Sequence, residues 1–210
     1  MTINNDVLRE RISLLGSFLG DAVSRQTGEE TLNTIETLRK GFIQQRREPN
    51  EANKRQLIDF IASLDNQTLK NVIRSFSIYF FLANLSEENY LREQRHALRM
   101  QSDQSWEGSF RRTLLECRER NIAPAQMQEL IEQLKFIPVF TAHPTEARRR
   151  TTMNLLQSLF IHSDALNNLA EDSFAYEQAK EKTAQTIDLL WSSDEVRTRK
   201  PLVYDEINNG

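Results

Sequence analysis

Residues 69–100 read LKNVIRSFSIYFFLANLSEENYLREQRHALRM and contain no glycine and no proline. These two residue types interrupt helices more strongly than any others, so the segment predicts one long helix from Gln67 to about Met100. Its middle, around the apolar run from Tyr79 to Ala83, is very hydrophobic, which predicts that this part of the helix is buried.

Apolar residues recur at helical spacing on both sides of this segment and predict further helices. Gly28 is predicted to end the first helix and to separate it from the second. The segment from Gln44 to Asn53 is polar and contains Pro49, so it is predicted to be a loop. Later helices are predicted over residues 110–120, 125–134, 145–169 and 174–191. With only 6 glycines and 5 prolines in 210 residues, the chain is predicted to be mainly α-helical.

The pattern changes at Lys135. Residues 136–142 are apolar, β-branched or aromatic, which predicts a short strand there. We therefore predict an all-helical region over residues 1–134, and a second region over 135–210 that begins with this strand and continues with helices.

Composition excludes several classes of protein. Lys and Arg total 27 and Asp and Glu total 30, a net charge of −3, whereas nucleic-acid and membrane-surface binders are normally basic. The single cysteine, Cys117, cannot form an internal disulfide. The first residues lack the apolar core of a signal peptide, and no apolar run is long enough to span a bilayer. These features predict a cytoplasmic protein that binds neither nucleic acid nor membranes.

The stretch FIPVFTAHPTEARRRTT, residues 136–152, carries the candidate functional residues. His143 is expected at the carboxyl end of the strand, where α/β folds place catalytic groups, and Pro144 suits the first turn of the next helix. Three arginines, 148–150, then follow in the second turn of that helix, and each cation near a helix amino terminus opposes the helix dipole by roughly 0.3–1 kcal/mol. Together with the free N–H groups, they predict a site for a phosphate or carboxylate.

Each of these residues also has a structural explanation. A lone histidine at a strand end is more often structural than catalytic, and at least one of the three arginines is expected on a solvated face. His143 and Glu146 have the spacing of a metal pair. Without a third ligand, a helix-capping role for Glu146 is the better explanation, and no metal ligand is predicted. Which of Arg148, Arg149 and Arg150 faces a substrate stays open.

The segment FTAHPTE, residues 140–146, followed by RRT at 149–151, resembles the histidine signature of the phosphoenolpyruvate carboxylases. Three other segments are similar to the same family in the same order, so the resemblance covers nearly the whole chain. Ser192 and Ser193 depart from the pattern that is usual after Trp191. The three segments are LLGSFLGDAV with TGEETLNTIETLRK (14–23 and 27–40), FSIYFFLANLSEEN (76–89) and WSSDEVRTRKPLVYDE (191–206).

The resemblance implies a fold and an activity. It implies a helical bundle-like amino-terminal region, followed by the first strand and helices of an incomplete (β/α)8-type barrel. Its enzymes are lyases that fix carbon dioxide: phosphoenolpyruvate and bicarbonate give oxaloacetate and phosphate through carboxyphosphate and enolpyruvate. By this resemblance His143 is catalytic and handles the carboxyphosphate proton, while Arg149 and Arg150 bind substrate.

The resemblance also implies properties of a complete enzyme. Such an enzyme uses Mg²⁺ or Mn²⁺, with metal ligands downstream of this chain, and is an allosteric homotetramer that replenishes the tricarboxylic acid cycle. Because most of the active site is missing, this amino-terminal portion is expected to be inactive alone. The alternative is a non-catalytic helical interaction module derived from the family, which would bind a partner through the apolar edge near Phe136.

Overall fold

Helix is the only regular secondary structure in the part of the chain that the computed structural model describes, which is residues 5–101, 108–138, 149–193 and 204. This confirms the mainly α prediction, whereas the predicted barrel portion stays a prediction. The helices in these ranges are α1 (Asn5–Thr27), α2 (Glu29–Arg47), α3 (Glu51–Ser63), α4 (Asn66–Gln101), α5 (Phe110–Glu119), α6 (Pro124–Gln133), α7 (Arg150–Asn168) and α8 (Phe174–Ser192).

The long helix α4 matches its predicted extent to within one residue at each end. Asp65 caps it: one carboxylate oxygen accepts hydrogen bonds from the backbone N–H groups of Gln67 (2.8 Å) and Thr68 (3.0 Å). The Thr68 hydroxyl also donates to this carboxylate and is the main reason why the pKa of Asp65 is lowered. Only one face of the apolar middle is buried, because Leu82 is fully buried while Phe80 is 60% exposed.

The described helices belong to two compact units. The first contains α1, α2, α3, the part of α4 up to Glu88, α7 and α8, and the second contains the rest of α4 with α5 and α6. Within the first unit α7 packs on α8, α8 on α1, α1 on α2, and α2 on α3. The predicted division of the chain after residue 134 stays a prediction.

One hydrophobic core lies inside the first unit. Leu38, Leu82, Leu159 and Ile187 are at most 1% exposed, and Trp191 is 2% exposed. Fully burying one such side chain stabilises a fold by roughly 1.5–3 kcal/mol. The buried members of the core are Leu15, Phe18, Leu19, Ala22, Val23, Ile35, Leu38, Val72, Ile78, Leu82, Leu85, Leu159, Ile187, Leu190 and Trp191.

A polar tie joins the end of α1 to α8. The side-chain amide of Gln26 donates to a carboxylate oxygen of Asp188 (3.0 Å) and to its backbone carbonyl (3.1 Å), and the Arg25 guanidinium donates to the same carboxylate (2.9 Å). The bond from Gln26, assisted by Arg25, lowers the pKa of Asp188. The tie therefore favours the ionised carboxylate and fixes α1 along α8.

The predicted loop from Gln44 to Asn53 was wrong in its extent. The α2 helix continues to Arg47, and its hydrogen bonding extends to the N–H of Glu48, which donates to the carbonyl of Gln44 (2.8 Å). The next helix begins at Glu51, because the Asn50 side chain accepts from the N–H of Ala52 (2.8 Å). Polar residues at exposed helix ends carry no apolar periodicity, so the sequence pattern missed both turns.

The predicted strand over 136–142 is also corrected where the structure describes it. Residues 136–138 form no strand, and Phe136 and Ile137 are 91% and 77% exposed. A strand exists only when a neighbouring strand supplies its hydrogen-bonding partners, and the described ranges contain no such neighbour. The remaining positions of the predicted strand, 139–142, lie outside the described residues.

Gly28 links α1 to α2 at φ +90°, a backbone conformation that side-chain-bearing residues rarely adopt. We expect Gly28→Ala to lower the free energy of unfolding by about 1–3 kcal/mol, measured by urea denaturation followed by circular dichroism. Gly20→Ala is the matched control within α1: its added Cβ would lie 3.7 Å from Leu32 of α2, an ordinary van der Waals contact, and it should leave stability unchanged or raise it. Equal effects of the two changes would contradict this assignment.

His162 on α7 lies half-buried with its Nδ1 3.3 Å from the Thr186 hydroxyl on α8. Burial, together with the nearby Lys182 ammonium, lowers the pKa of His162 from its ordinary value of 6.5. The unfolded chain therefore takes up this proton at a higher pH than the folded chain does. The contribution of neutral His162 to the free energy of unfolding should be fully present above pH 6.5, and it should decrease as the pH falls through 6.5 towards the lowered pKa of the folded chain.

Denaturation midpoints measured between about pH 7.5 and about pH 5.5 test this expectation. His162→Gln should flatten the pH dependence, whereas His96→Gln, at an exposed position of α4, should leave it as in the parent chain. An unchanged pH dependence in His162→Gln would show that other groups cause it.

Candidate functional site

The amino terminus of α7 carries two of the predicted site residues. Arg149 is the N-cap residue, with extended backbone angles (φ −66°, ψ 142°), and Arg150 is the first helical residue. Arg149 is half-buried and Arg150 is exposed. The structure thus distinguishes two arginines that the sequence left equivalent.

The position of this helix end is fixed by the core. Leu159 on α7 and Ile187 on α8 both have no exposed surface, and Leu166 on α7 is 7% exposed. Since α7 packs along α8 through these side chains, its first turn cannot shift without exposing apolar surface. The two arginines therefore begin a rigid element of the first unit.

The start of α7 differs from other helix starts in the described ranges. The α2 helix begins with Glu29 and Glu30, and α8 has both a Ser173 cap and an acidic residue in its first turn. These acidic groups complement the positive end of the helix dipole. In α7 the first turn contains no acidic residue, and the N-cap side chain makes no capping hydrogen bond.

The α5 helix is the closest comparison, because arginines also occupy its first turn. There, however, the Ser109 hydroxyl accepts the backbone N–H of Arg112 (3.2 Å), and the Arg112 guanidinium donates to Glu116 (2.7 Å). The α5 helix therefore satisfies its own amino terminus. In α7 the N-cap side chain makes no capping hydrogen bond and the first turn contains no acidic residue, so the start of this helix is the candidate position for an anionic ligand.

The other predicted site residues lie outside the described residues. They are His143, Pro144, Glu146 and Arg148. Their relation to Arg149 and Arg150 stays a prediction, including the role of His143 as the catalytic residue.

Thr152 lies two residues inside α7 and is only 2% exposed. Its hydroxyl oxygen has no hydrogen-bond partner among the residues that the structure describes. Burial of an unpaired hydroxyl costs roughly 1–3 kcal/mol in proteins. The arginines at the start of α7 oppose the helix dipole, and the buried Thr152 hydroxyl lowers the stability of the folded state.

Arg74 makes a tertiary contact between α4 and the end of α8 that the sequence did not reveal. From α4 its guanidinium donates to the backbone carbonyl of Ser193, and its central carbon lies 5.6 Å from the ring centre of Trp191. This contact holds the carboxyl end of α8 at the start of the segment 191–206, which resembles the carboxylase family. A charged residue within the apolar pattern of α4 was the available signal, but its partner lies 119 residues away in the sequence.

Across the described ranges, no three His, Cys, Asp or Glu side chains lie close enough together to share a metal ion. The expected Mg²⁺ or Mn²⁺ stays a prediction. A search of the same ranges found no helix with the length and apolarity needed to cross a membrane.

Thr152→Val keeps the side-chain shape and removes the unpaired hydroxyl. We expect it to raise the free energy of unfolding by roughly 1 kcal/mol, measured by urea denaturation. Thr183→Val is the matched control: Thr183 on α8 is fully buried, but its hydroxyl donates to the carbonyl of Ala179 (2.7 Å), so this change should lower stability. Destabilisation by Thr152→Val would show that the Thr152 hydroxyl is satisfied in solution.

Comparisons with known proteins extend over nearly the whole chain. The sequence profile of the phosphoenolpyruvate carboxylases matches residues 8–210. The phosphoenolpyruvate carboxylase of Azorhizobium caulinodans is 30% identical over 203 residues, 97% of this chain and 22% of the relative. Those of Alcanivorax borkumensis (31% over 211 residues) and Haemophilus influenzae (30% over 218 residues) cover 98% and 100% of this chain.

The chain spans only 22–23% of the length of these curated relatives. Within that span, the match includes the helical core, the two arginines at the start of α7 and the segment around His143. On this match across residues 8–210, the chain belongs to the phosphoenolpyruvate carboxylase family.

Proposed function

We propose that this chain is the amino-terminal portion of a phosphoenolpyruvate carboxylase, which converts phosphoenolpyruvate and bicarbonate to oxaloacetate and phosphate. The observation that carries the proposal is the family match over residues 8–210, which includes Arg149 and Arg150 at the start of α7. The reaction handles a phosphate and two carboxylates, and these are the anions that such a helix end favours.

In this proposal Arg149 and Arg150 bind and neutralise substrate charge. Negative charge moves among phosphate, carbonate and enolate oxygens as the phosphoryl group leaves phosphoenolpyruvate. Fixed guanidinium groups stabilise such charge without having to reorient during the reaction. Arg149 is the half-buried member of the pair, and because electrostatic attraction increases as water is excluded, it is expected to contribute more than the exposed Arg150.

His143 is proposed to handle the proton of carboxyphosphate and to hold its phosphate. An imidazole changes charge near neutral pH, so it can both accept this proton and, once protonated, donate to phosphate oxygens. The family resemblance of residues 140–146 supports this assignment.

The complete enzyme is proposed to use Mg²⁺ or Mn²⁺, to be a cytoplasmic, allosteric homotetramer, and to replenish the tricarboxylic acid cycle. A bound divalent cation would supply further charge neutralisation at the oxygens of the substrate. The described residues provide no cluster for it, so its ligands are expected in the part of the enzyme that this chain does not span. The chain alone is expected to be inactive.

The proposal is tested in the full-length carboxylase that this chain is proposed to begin. His143→Asn should abolish oxaloacetate formation. Arg149→Ala and Arg150→Ala should each lower kcat/KM by about 10²–10³, with the larger loss in Arg149→Ala, since each removes a fixed charge that stabilises the reacting anions. Coupled malate dehydrogenase turnover measures all three. Arg55→Ala, at an exposed position of α3, is the control and should retain normal turnover.

Near-normal turnover of His143→Asn would refute its catalytic role. Normal turnover of both arginine variants would refute their role in substrate binding. If Arg55→Ala lowered kcat/KM as much as Arg149→Ala and Arg150→Ala do, the loss would not be specific to the start of α7.

A further inference from the structure

The imidazole of His162 links α7 to α8 through one polar contact. Its Nδ1 lies 3.3 Å from the hydroxyl oxygen of Thr186, and the same hydroxyl oxygen lies 2.7 Å from the backbone carbonyl oxygen of Lys182. Thr186 is buried and His162 is half-buried. The hydroxyl has one proton and therefore donates to only one of these two neighbours.

The two distances determine where the hydroxyl proton lies. A hydroxyl donor typically lies about 2.5–3.0 Å from its acceptor, so the carbonyl of Lys182 is within this range and Nδ1 is beyond it. A threonine inside a helix also commonly donates to the carbonyl four residues earlier, which for Thr186 is that of Lys182. The Thr186 hydroxyl thus donates to this carbonyl, and only its lone pairs are left for the imidazole.

The imidazole must then be the donor in the contact between the helices. An unprotonated Nδ1 would direct its own lone pair at those of the hydroxyl, whereas a protonated Nδ1 makes a long N–H···O hydrogen bond. Neutral imidazole has a single N–H, and the hydrogen bond of one ring nitrogen fixes the state of the other. We infer that neutral His162 is the Nδ1–H tautomer, that it donates to Thr186, and that Nε2 is the atom that binds a proton in acid.

This assignment makes the contact a polar tie that acid does not break. Both ring nitrogens carry protons in the imidazolium, so the hydrogen bond from Nδ1 to Thr186 is kept when His162 becomes charged. The acid sensitivity of His162 then comes from the charge placed at a half-buried ring, and not from loss of the bond between α7 and α8.

The charged groups around the contact agree with this account. On α8, the residues one turn from Thr186 are 182, 183, 189 and 190, of which Lys182 alone is charged. On α7, the residues one turn from His162 are 158, 159, 165 and 166, and all four are uncharged. Lys182 is exposed, so water screens its repulsion, and these turns contain no carboxylate that would stabilise an imidazolium.

Nuclear magnetic resonance of the 210-residue chain, with nitrogen-15 in its histidine rings, measures the tautomer directly. The chain has 3 histidines, and the signals that disappear in His162→Gln are those of His162. At about pH 8, above the ordinary histidine pKa of about 6.5, we expect the proton on Nδ1 and a lone pair on Nε2. On acidification the Nε2 signal should change to that of a protonated nitrogen, while Nδ1 stays protonated.

A neutral His162 that carries its proton on Nε2, or shares it equally between the two nitrogens, would overturn the inference. Thr186→Val removes the acceptor and keeps the side-chain shape, so it should abolish the preference for Nδ1. A preference that persists in Thr186→Val would show that another group holds the proton there.

Two amide substitutions give an independent test. The amide nitrogen of asparagine takes the place of Nδ1 and that of glutamine the place of Nε2, so His162→Asn should keep the bond to Thr186 and His162→Gln should lose it. The two amides also differ in helix propensity, so their urea midpoints at about pH 8 are compared in the parent chain and in the Thr186→Val background. We expect the midpoint of His162→Asn to rise relative to that of His162→Gln only where the Thr186 hydroxyl is present. The same difference in both backgrounds would overturn the assignment of Nδ1 as the donor.

Discussion

The packing of α7 on α8, in which Leu159 and Ile187 are fully buried, is the constraint on which the position of the candidate residues Arg149 and Arg150 depends. Truncating a buried leucine or isoleucine to alanine typically costs about 2–5 kcal/mol. That energy holds α7 in one position, and with it the arginines at its start. A helix end that opposes its own dipole is tolerable because this packing, and not local helix stability, keeps the helix in place.

Core packing also explains which parts of the fold could be predicted from the sequence. Periodic apolar residues predicted the position of α4 and the order of the described helices, since residues that pack into the core recur at helical spacing. The polar turns at the end of α2 and the start of α3 were not predicted, because exposed helix ends are held by hydrogen bonds and need no periodic apolar residues. The strand expected at residues 136–142 had the right composition, but a strand also needs a neighbouring strand, which composition does not report and which its described part, 136–138, lacks among the described residues.

The candidate site residues and the residues that support them also differ in how far the sequence predicts them. Arg149 and Arg150 could be identified as candidates from the sequence, because adjacent cations near a helix start oppose the helix dipole, and their role stays a prediction. Their unequal exposure was not predictable, since it depends on how α7 packs. Arg74 was not predictable either, because its contact with Ser193 joins positions 119 residues apart. Local motifs thus reveal charged groups, whereas tertiary contacts determine which groups are held in place.

The tie between Arg25 and Asp188 has a consequence for synthesis of the chain. These residues are 163 positions apart, and the packing of α1 on α8 shares this separation. At about 5–20 residues per second, a ribosome needs roughly 10–30 s to reach α8 after it has made α1. During that interval the part of the α1 apolar stripe that packs on α8 has no α8 to cover it, so the nascent chain exposes hydrophobic surface.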